Sequence, residues 1–159
     1  MAIVGDGRLG NALAGALRAA GLQVTGPLGR HAAPGDADAL LLCVPDAEIG
    51  AAADAVPAGL PVGHCSGATG LDVLGARDAF SLHPLMTVTA DTDATAFAGA
   101  GAAVAGSNAA MLALARALAQ RLGMRPIQVA DGDRTAYHAA ASIASNFLVT
   151  LEAAAERLA

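Results

Sequence analysis

Three glycines near the start of the chain are spaced as Gly-x-Gly-x-x-Gly. Gly5, Gly7 and Gly10 stand between the apolar run of residues 1–4, which predicts a short β-strand, and residues 9–20, in which apolar side chains recur at helical spacing. A glycine-rich turn that joins a strand to a helix is the arrangement that binds the phosphates of a dinucleotide. We therefore expect the chain to begin with a strand, a phosphate-binding turn and a helix.

Each glycine of this turn has a separate physical role. Gly5 allows the tight turn, Gly7 lets the backbone approach a pyrophosphate without a Cβ in the way, and Gly10 lets the helix pack closely on the strand. The N-terminus of the helix offers N–H groups and a positive dipole to the phosphates. The cofactor-binding residues predicted here are Gly5, Asp6, Gly7, Arg8, Leu9 and Gly10. A glycine-rich turn without a ligand is the alternative.

The rest of the chain alternates between strand-like and helix-like segments. Further strands are predicted at residues 22–25, 39–44, 61–65, 79–82, 100–105 and 127–129, and His83-Pro84 should end the fourth of these. Asp46 is expected to cap a short helix, and Ser107 a longer one that ends at Gly123. The alternation predicts an α/β fold, a doubly wound sheet with helices on both faces.

Asp131-Gly132-Asp133 marks a boundary between two parts of the chain. Residues 1–130 are predicted to form the sheet domain and residues 131–159 the start of a helical domain that looks truncated after one helix. From Arg134 to Leu158 this helix would be about 37 Å long. Its apolar stripe, which one sheet domain cannot bury, runs through Tyr137, Ala140, Ala144, Phe147, Leu151, Ala155 and Leu158.

The carboxyl ends of the strands indicate which cofactor is bound. Ligands of such sheets lie beyond these ends, which adds Val44, Pro45 and Ser66 to the predicted cofactor-binding residues. An NAD site has an acidic residue about 20 positions after the glycines, but Gly26 stands there, and Arg30 follows it. An arginine can hold a 2′-phosphate, so we predict NADP, with NAD possible. A solvated loop charge at Arg30 is the alternative.

Composition excludes several classes of function. The 159 residues carry a net charge of −5, which argues against a nucleic-acid partner, and no apolar run is long enough to span a membrane. The nine basic residues are all arginine, so no mechanism can use a lysine base. Cys43 and Cys65 lack metal-site spacing, as do the four histidines, which predicts free buried thiols in a reducing, cytoplasmic compartment and no metal site.

Three polar residues are spaced to lie on one face of the final helix. His138, Ser142 and Asn146 recur every four residues beside an apolar face, which suits the wall of a cleft. Histidine is a common general acid in enzymes, so His138 is the predicted proton donor, and Asn146 is predicted to orient the reacting oxygen. A solvated helix face is an equally good interpretation.

Two further catalytic candidates follow strands. His83 either lines the cleft or makes a hydrogen bond within its own loop. Ser66, with Gly67, offers a hydroxyl and N–H groups that could hold a substrate carboxylate or the nicotinamide ribose. A plain turn is the alternative for Ser66 and Gly67, because both residue types favour turns.

The order of these motifs resembles the Rossmann-like DUF2520 family, which is similar in fold to 6-phosphogluconate dehydrogenase and pyrroline-5-carboxylate reductase. The residues that carry the resemblance are 5–10, 42–46, 64–67, 81–85, 137–141 and 145–148. It implies an NAD(P)-dependent oxidoreductase whose substrate is not settled. The related β-hydroxyacid dehydrogenases place a lysine four residues before an asparagine. Asn146 matches the asparagine, but Ser142 stands at the lysine position, so another proton donor must serve.

We therefore expect hydride transfer to or from a small carbonyl or imine substrate. A non-catalytic NAD(P)-binding or sensor module is the alternative, which the missing lysine favours. In the reductases that the chain resembles, helices of the second domain build the dimer. That resemblance implies a homodimer formed through the final helix. An exposed stripe that causes aggregation is the alternative to the dimer.

Overall fold

A seven-stranded sheet forms the centre of the computed structural model, which describes residues 1–29, 32 and 34–158, and only the backbone of Asn146 and Leu148. The strand order is β2-β1-β3-β4-β5-β6-β7, and all neighbouring strands in this sheet are parallel except β5 and β6. The strands are β1 (Ala2–Val4), β2 (Thr25–Leu28), β3 (Leu40–Leu42), β4 (Val62–His64), β5 (Ala79–Leu85), β6 (Gly101–Gly106) and β7 (Arg125–Gln128).

Helices cover both faces of the sheet, as the alternating pattern predicts. The helices are α1 (Arg8–Ala19), α2 (Ile49–Asp54), α3 (Ala109–Arg121), α4 (Arg134–Ser142) and α5 (Leu148–Leu158). Side chains of α1 and α3 pack with Ile3 and Leu41 on one face, whereas α2 packs with Val4 and Leu42 on the other. Successive strand residues therefore enter opposite halves of the core.

The chain reverses its winding direction at β1. Helix α1 leads from β1 to β2 on one side, and the chain then crosses back to β3 on the other side of β1. The carboxyl ends of β1 and β3 are consequently followed by connections that diverge, which opens a crevice where ligands of such sheets bind. Gly5 follows β1 and Cys43 follows β3 at this point.

Close backbone packing explains two of the three glycines in the first turn. Gly5 has a φ of 112°, and a Cβ there would collide with the carbonyl oxygen of Cys43. A Cβ on Gly10 would collide with the carbonyl oxygen of Gly5. Only glycine fits either position without moving backbone. The tight turn and the close helix packing expected of these residues are both present.

Several element boundaries differ from the prediction. Strand β5 continues through Pro84 to Leu85, because it pairs with β6 on one side while β4 reaches only as far as Ser81 on the other. Pro84 therefore lies where one edge of the strand needs no N–H donor. Strand β2 begins at Thr25 rather than at residue 22, since the N–H of Leu22 bonds to Leu17 and completes the end of α1.

Both predicted helix caps are wrong. Asn108, not Ser107, caps α3, and its side chain accepts a hydrogen bond from the N–H of Met111 at 3.0 Å. The Ser107 hydroxyl instead accepts from the N–H of Ala79 at 2.9 Å. Asp46 opens a 3₁₀ turn after Pro45 without capping it. Short polar side chains compete for several local donors, and the sequence does not say which donor is nearest.

The final helical segment is not one regular α-helix. A π-helical stretch, Ile143–Phe147, separates α4 from α5. The wider turn changes the angular register, so residues spaced four apart no longer stay on one face across it. Within the described residues, no helix has the length and apolar character needed to cross a bilayer.

Candidate functional site

The glycine-rich turn forms an open cradle at the start of α1. Gly7 is the N-cap residue, and a Cβ placed on it would meet no atom within 4 Å. The Asn11 side-chain amide donates to the carbonyl oxygens of Asp6 and Gly7, at 2.7 and 3.0 Å, and holds the turn in shape. Asp6, Gly7 and Arg8 are exposed, whereas Gly10 is buried. The space above Gly7 is therefore free for a group that must approach the backbone.

A cavity of about 510 Å³ adjoins this turn. It is lined by Asp6, Gly7, Arg8, Asn11, Ala12, Thr89, Ala90 and Thr92. The donors here are the first N–H groups of α1, an arginine and two threonine hydroxyls, which suit phosphate oxygens. The residues present thus fit the phosphates of a dinucleotide.

Ser66 lies beyond the end of β4, buried under its own turn. Its hydroxyl is 2.7 Å from the Asp46 carboxylate and 2.9 Å from the Thr69 hydroxyl, and it accepts from the N–H groups of Ala68 and Thr69. These bonds close the turn and tie it to the segment that follows β3, where Val44 is half-buried and Pro45 exposed. The Ser66 hydroxyl has a single proton, which it donates in the hydrogen bond to the Asp46 carboxylate.

His64, which sequence reasoning did not select, is fully buried at the end of β4. Its Nδ1 accepts from the N–H of Ser66, and its Nε2 lies 3.2 Å from the carbonyl oxygen of Gly70. Burial, with a smaller effect of the Arg134 charge, lowers the pKa of His64 to about 4. The imidazole is therefore neutral at pH 7, with its proton on Nε2. A histidine inside a predicted buried strand was the available signal.

Arg134 is a buried cation that sequence reasoning also missed. Only 2% of its surface is exposed. Its guanidinium donates to Asp131 at 2.7 Å and to the Ser81 hydroxyl at 2.6 Å, and reaches the carbonyl oxygen of Ser66 at 3.5 Å. These contacts fasten the start of α4 to β5 and to the turn after β4. An acid three residues before an arginine at a helix start was the sequence signal.

His83 and Tyr137 meet at the end of the sheet. The Nδ1 of His83 is 2.8 Å from the Tyr137 hydroxyl, and the two rings meet edge to face. The His138 ring centroid lies 6.4 Å from that of His83. A Cβ on Gly67 would lie 2.8 Å from the His83 ring, so the glycine makes room for the imidazole. His83 thus contacts α4 through Tyr137, and its catalytic role stays a prediction.

The electrostatic surroundings favour the uncharged form of both rings of this pair. Burial lowers the pKa of His83 most, the neighbouring His138 and the Arg134 cation lower it further, and the Asp46 carboxylate partly opposes them. Burial raises the pKa of the Tyr137 hydroxyl. A neutral imidazole that accepts the phenol proton at Nδ1 carries its own proton on Nε2. The hydrogen bond thus connects Tyr137 of α4 to His83 of β5 without requiring a charge on either ring.

A second cavity, of about 500 Å³, opens beside these rings. It is lined by His83, Pro84, Leu85, Met86, Tyr137, His138, Ala140, Ala141, Ser142, Ala144 and Ser145. His138 and Ser142 share this wall, as their spacing predicts, and after the π-helical stretch begins Ser145 joins them. The side chain of Asn146 lies outside what the structure describes, as does Arg30. Their predicted roles remain predictions.

Cys43 and Cys65 are free thiols at the ends of neighbouring strands. Cys65 is buried and Cys43 half-buried, with 3.7 Å between the two sulfur atoms. Among the residues described, no three His, Cys, Asp or Glu side chains are grouped as a metal site.

The comparison of sequences locates a family match in the C-terminal part of the chain. Residues 101–159 match the family model described as "Domain of unknown function (DUF2520)". The resemblance predicted from the sequence motifs is therefore confirmed. Among curated proteins, no match to this sequence was found.

Solved structures share the fold over nearly the whole chain. A Bacteroides fragilis protein whose description proposes an NADP oxidoreductase has a TM-score of 0.80 at 18% identity, over 99% of this chain and 70% of its own. A Thermotoga maritima protein gives 0.78 at 20% identity, over 99% and 68%. The 1-pyrroline-5-carboxylate reductase of Streptococcus pyogenes gives 0.71 at 13% identity, over 98% and 68%. The fold is thus the predicted Rossmann-like one.

Proposed function

We propose that this chain binds NADP and takes part in hydride transfer to or from a small carbonyl or imine substrate. The observation that carries the proposal is the exposed, sterically free Gly7 at the N-terminus of α1, at the point where the sheet reverses its winding. Descriptions of structural neighbours as an NADP oxidoreductase and a pyrroline-5-carboxylate reductase support it.

The cofactor, when bound, supplies or accepts the hydride, and the residues of this chain have separate tasks. Gly5–Gly10 would hold the pyrophosphate over the α1 N-terminus, and Val44, Pro45 and Ser66 are proposed to line the crevice toward the nicotinamide. His138 remains the proposed proton donor, because its imidazole lies on the wall of the second cavity. Asn146 is proposed to orient the reacting oxygen.

His83 has a defined task in this proposal. In the tautomer in which His83 Nδ1 accepts from the Tyr137 hydroxyl, the Nε2–H is held in one orientation and can donate a hydrogen bond to a substrate oxygen or nitrogen. Such a donor polarises the carbonyl or imine without transferring charge. In the absence of a lysine, His83 on β5 would polarise the substrate and His138 on α4 would supply the proton.

The preference for NADP rests on the end of β2. Gly26, the position at which the sequence pattern would place an acid, is the second residue of β2, whereas the strand ends at Leu28, in register with Val4 at the end of β1. Gly29 follows the strand, and Arg30 comes next. A 2′-phosphate would meet an arginine rather than a carboxylate, which favours NADP over NAD.

The test is a titration of nicotinamide fluorescence with NADPH and NADH, followed by turnover assays with oxo acids, aldehydes and cyclic imines. We expect tighter binding of NADPH, and Arg30→Ala should remove much of the difference, about 1.5–3 kcal/mol for a charge-assisted hydrogen bond. Binding without turnover on any substrate would favour the alternative, a nucleotide-sensing module. Failure of both nucleotides to bind would refute both functions.

We also propose that a second copy of the chain covers the final helices. Phe147 and Leu151 are 60% and 68% exposed, and α5 makes its main contacts with the adjoining π-helical stretch rather than with the sheet. Apolar surface of this extent on a helix is typical of an interface.

We propose a reducing, cytoplasmic setting for the protein, which the two free thiols support.

A further inference from the structure

The two cysteines occupy equivalent positions on adjacent parallel strands. Leu42 of β3 is in register with His64 of β4, so the next residues, Cys43 and Cys65, are neighbours across the sheet. The N–H of Cys65 bonds to the carbonyl oxygen of Leu42, which continues the strand pairing to this level. Both side chains therefore project to the same face of the sheet.

This arrangement meets the distance requirement for a disulfide. Adjacent strands lie about 4.8 Å apart, which is inside the Cα separation of about 4.4–6.8 Å that disulfides span. The sulfur atoms of Cys43 and Cys65 are already 3.7 Å apart and would have to approach to about 2.0 Å. Small side-chain rotations provide most of that movement, and no strand has to separate.

The two thiols differ in their access to an oxidant. Cys43 is half-buried, whereas Cys65 is buried. The hydrogen bond with Cys43 and burial together raise the pKa of the Cys65 thiol. A thiolate is the reactive form, so Cys43 is the sulfur that meets the oxidant first and Cys65 is the one that follows.

We propose that Cys43 and Cys65 form a reversible oxidation site, in which a hydroperoxide converts the neighbouring thiols into an intrachain disulfide. The Cys43 sulfur attacks one peroxide oxygen and the O–O bond breaks, which gives a sulfenic acid and, from hydrogen peroxide, one water. The Cys65 sulfur then attacks the Cys43 sulfur, the S–O bond breaks, and a second water leaves with the Cys65 proton. An added dithiol reduces the disulfide by exchange.

The site adjoins the nucleotide-binding turn but does not depend on it. A Cβ on Gly5 would strike the Cys43 carbonyl, and one on Gly10 would lie 3.4 Å from the Cys43 Cβ, so the turn rests directly on this cysteine. The oxidation itself requires no cofactor. It can therefore be tested on the purified chain whether or not the proposed function holds.

The test treats the reduced protein with hydrogen peroxide, quenches it, and counts free thiols in denaturant. We expect the count to fall from two per chain to zero, with one cross-linked peptide that joins the Cys43 and Cys65 segments and no link between chains. Dithiothreitol should restore both thiols. Conversion to sulfinic or sulfonic acid without the cross-link would overturn the proposal, and so would disulfides only between chains.

Two variants test the assigned order of reaction. In Cys65→Ser, the remaining Cys43 should stop at the sulfenic acid, which dimedone traps. In Cys43→Ser, peroxide should convert the remaining Cys65 to a dimedone-reactive sulfenic acid at least about tenfold more slowly, because Cys65 is buried and its thiol is protonated. Faster labelling of Cys65 than of Cys43 would contradict the mechanism. The cross-link in the unsubstituted chain remains decisive if either variant folds poorly.

Discussion

The guanidinium of Arg134 donates a hydrogen bond to the hydroxyl of Ser81, across 2.6 Å, in the interior of the protein. Ser81 lies in β5 and Arg134 begins α4, so this bond joins the sheet to the helical segment. One turn further along α4, Tyr137 reaches His83, two residues beyond Ser81 on β5. The position of the cavity wall therefore depends on a cation that does not line the cavity.

Replacement of Arg134 by methionine should weaken this connection. We expect the free energy of unfolding to fall by about 2 kcal/mol, because charge-assisted hydrogen bonds to buried groups are lost. The pKa of His83 should rise toward its ordinary value, since burial still lowers it but the nearby positive charge is gone. Urea denaturation and NMR titration of the histidine rings measure the two effects. Arg121→Met, at an exposed position on α3, is the control and should change neither.

Gly7→Ala should impair nucleotide binding while leaving the fold intact. A methyl group at Gly7 touches no protein atom, so stability should change by less than about 0.5 kcal/mol, but the methyl occupies the space that a pyrophosphate needs. We expect NADPH affinity to fall at least about tenfold, or 1.4 kcal/mol. Nicotinamide fluorescence gives the affinities. Equal values for both proteins would remove the turn from the binding site.

Replacement by alanine of the two glycines inside α1, Gly10 and Gly15, should change stability in opposite directions. Gly15 is exposed with no neighbour within 4 Å, so Gly15→Ala should stabilise the helix by about 0.5–1 kcal/mol. Gly10→Ala should destabilise the protein by about 3 kcal/mol or more, because the new methyl collides with the carbonyl oxygen of Gly5. Chemical denaturation compares them. A stable Gly10→Ala protein would mean that the turn can move away from the helix.

Stability should fall when the pH is lowered below about 6.5. His64 has a pKa of about 4 in the folded protein and an ordinary value near 6.5 when unfolded, so between these values the unfolded chain binds the extra proton. The stabilising contribution of His64 to the free energy of unfolding is fully present above pH 6.5. It is lost toward pH 4, which lowers that free energy by about 3 kcal/mol. Urea denaturation at a series of pH values follows this. In His64→Asn the slope over this window should be shallower.

The proposed dimer should depend on the exposed apolar residues of the final helices. Phe147→Asp combined with Leu151→Asp introduces charge into the proposed interface, and light scattering after size exclusion should then report a monomer. Ile127→Asp is the matched control, since Ile127 is 52% exposed but lies on β7. A monomer of the unsubstituted chain at high concentration would contradict the proposal. A dimer that survives the double substitution would locate the interface elsewhere.

Local patterns predicted the framework because each depends on nearby residues. The spacing of Gly5, Gly7 and Gly10 and the continuous apolar run before Cys43 predicted the turn and a strand buried on both faces. Pro84 misled the strand assignment, because whether a strand tolerates proline depends on which neighbour lies beside it. The sequence alone does not show that β4 ends its pairing at Ser81.

The site was only partly predictable because its contacts are long-range. His83 and His138 were selected for their chemistry, and both line the same cavity. Tyr137 was placed on an apolar stripe, yet it faces His83, a partner 54 residues earlier in the chain. Arg134 was missed because arginines are usually exposed. Its guanidinium is instead buried against Ser81 of β5, a residue 53 positions earlier in the chain.

The reversal of chain direction between β5 and β6 affects how the cavity beside the glycine-rich turn can vary. Because β6 runs back from the edge at which β5 ends, their connection stays at that edge, where Thr89 and Thr92 face the glycine-rich turn. A crossover helix would have carried these residues to a face of the sheet. Insertions or deletions in this connection can therefore widen or narrow the cavity while every strand pairing is kept, so the length of one loop can tune ligand choice.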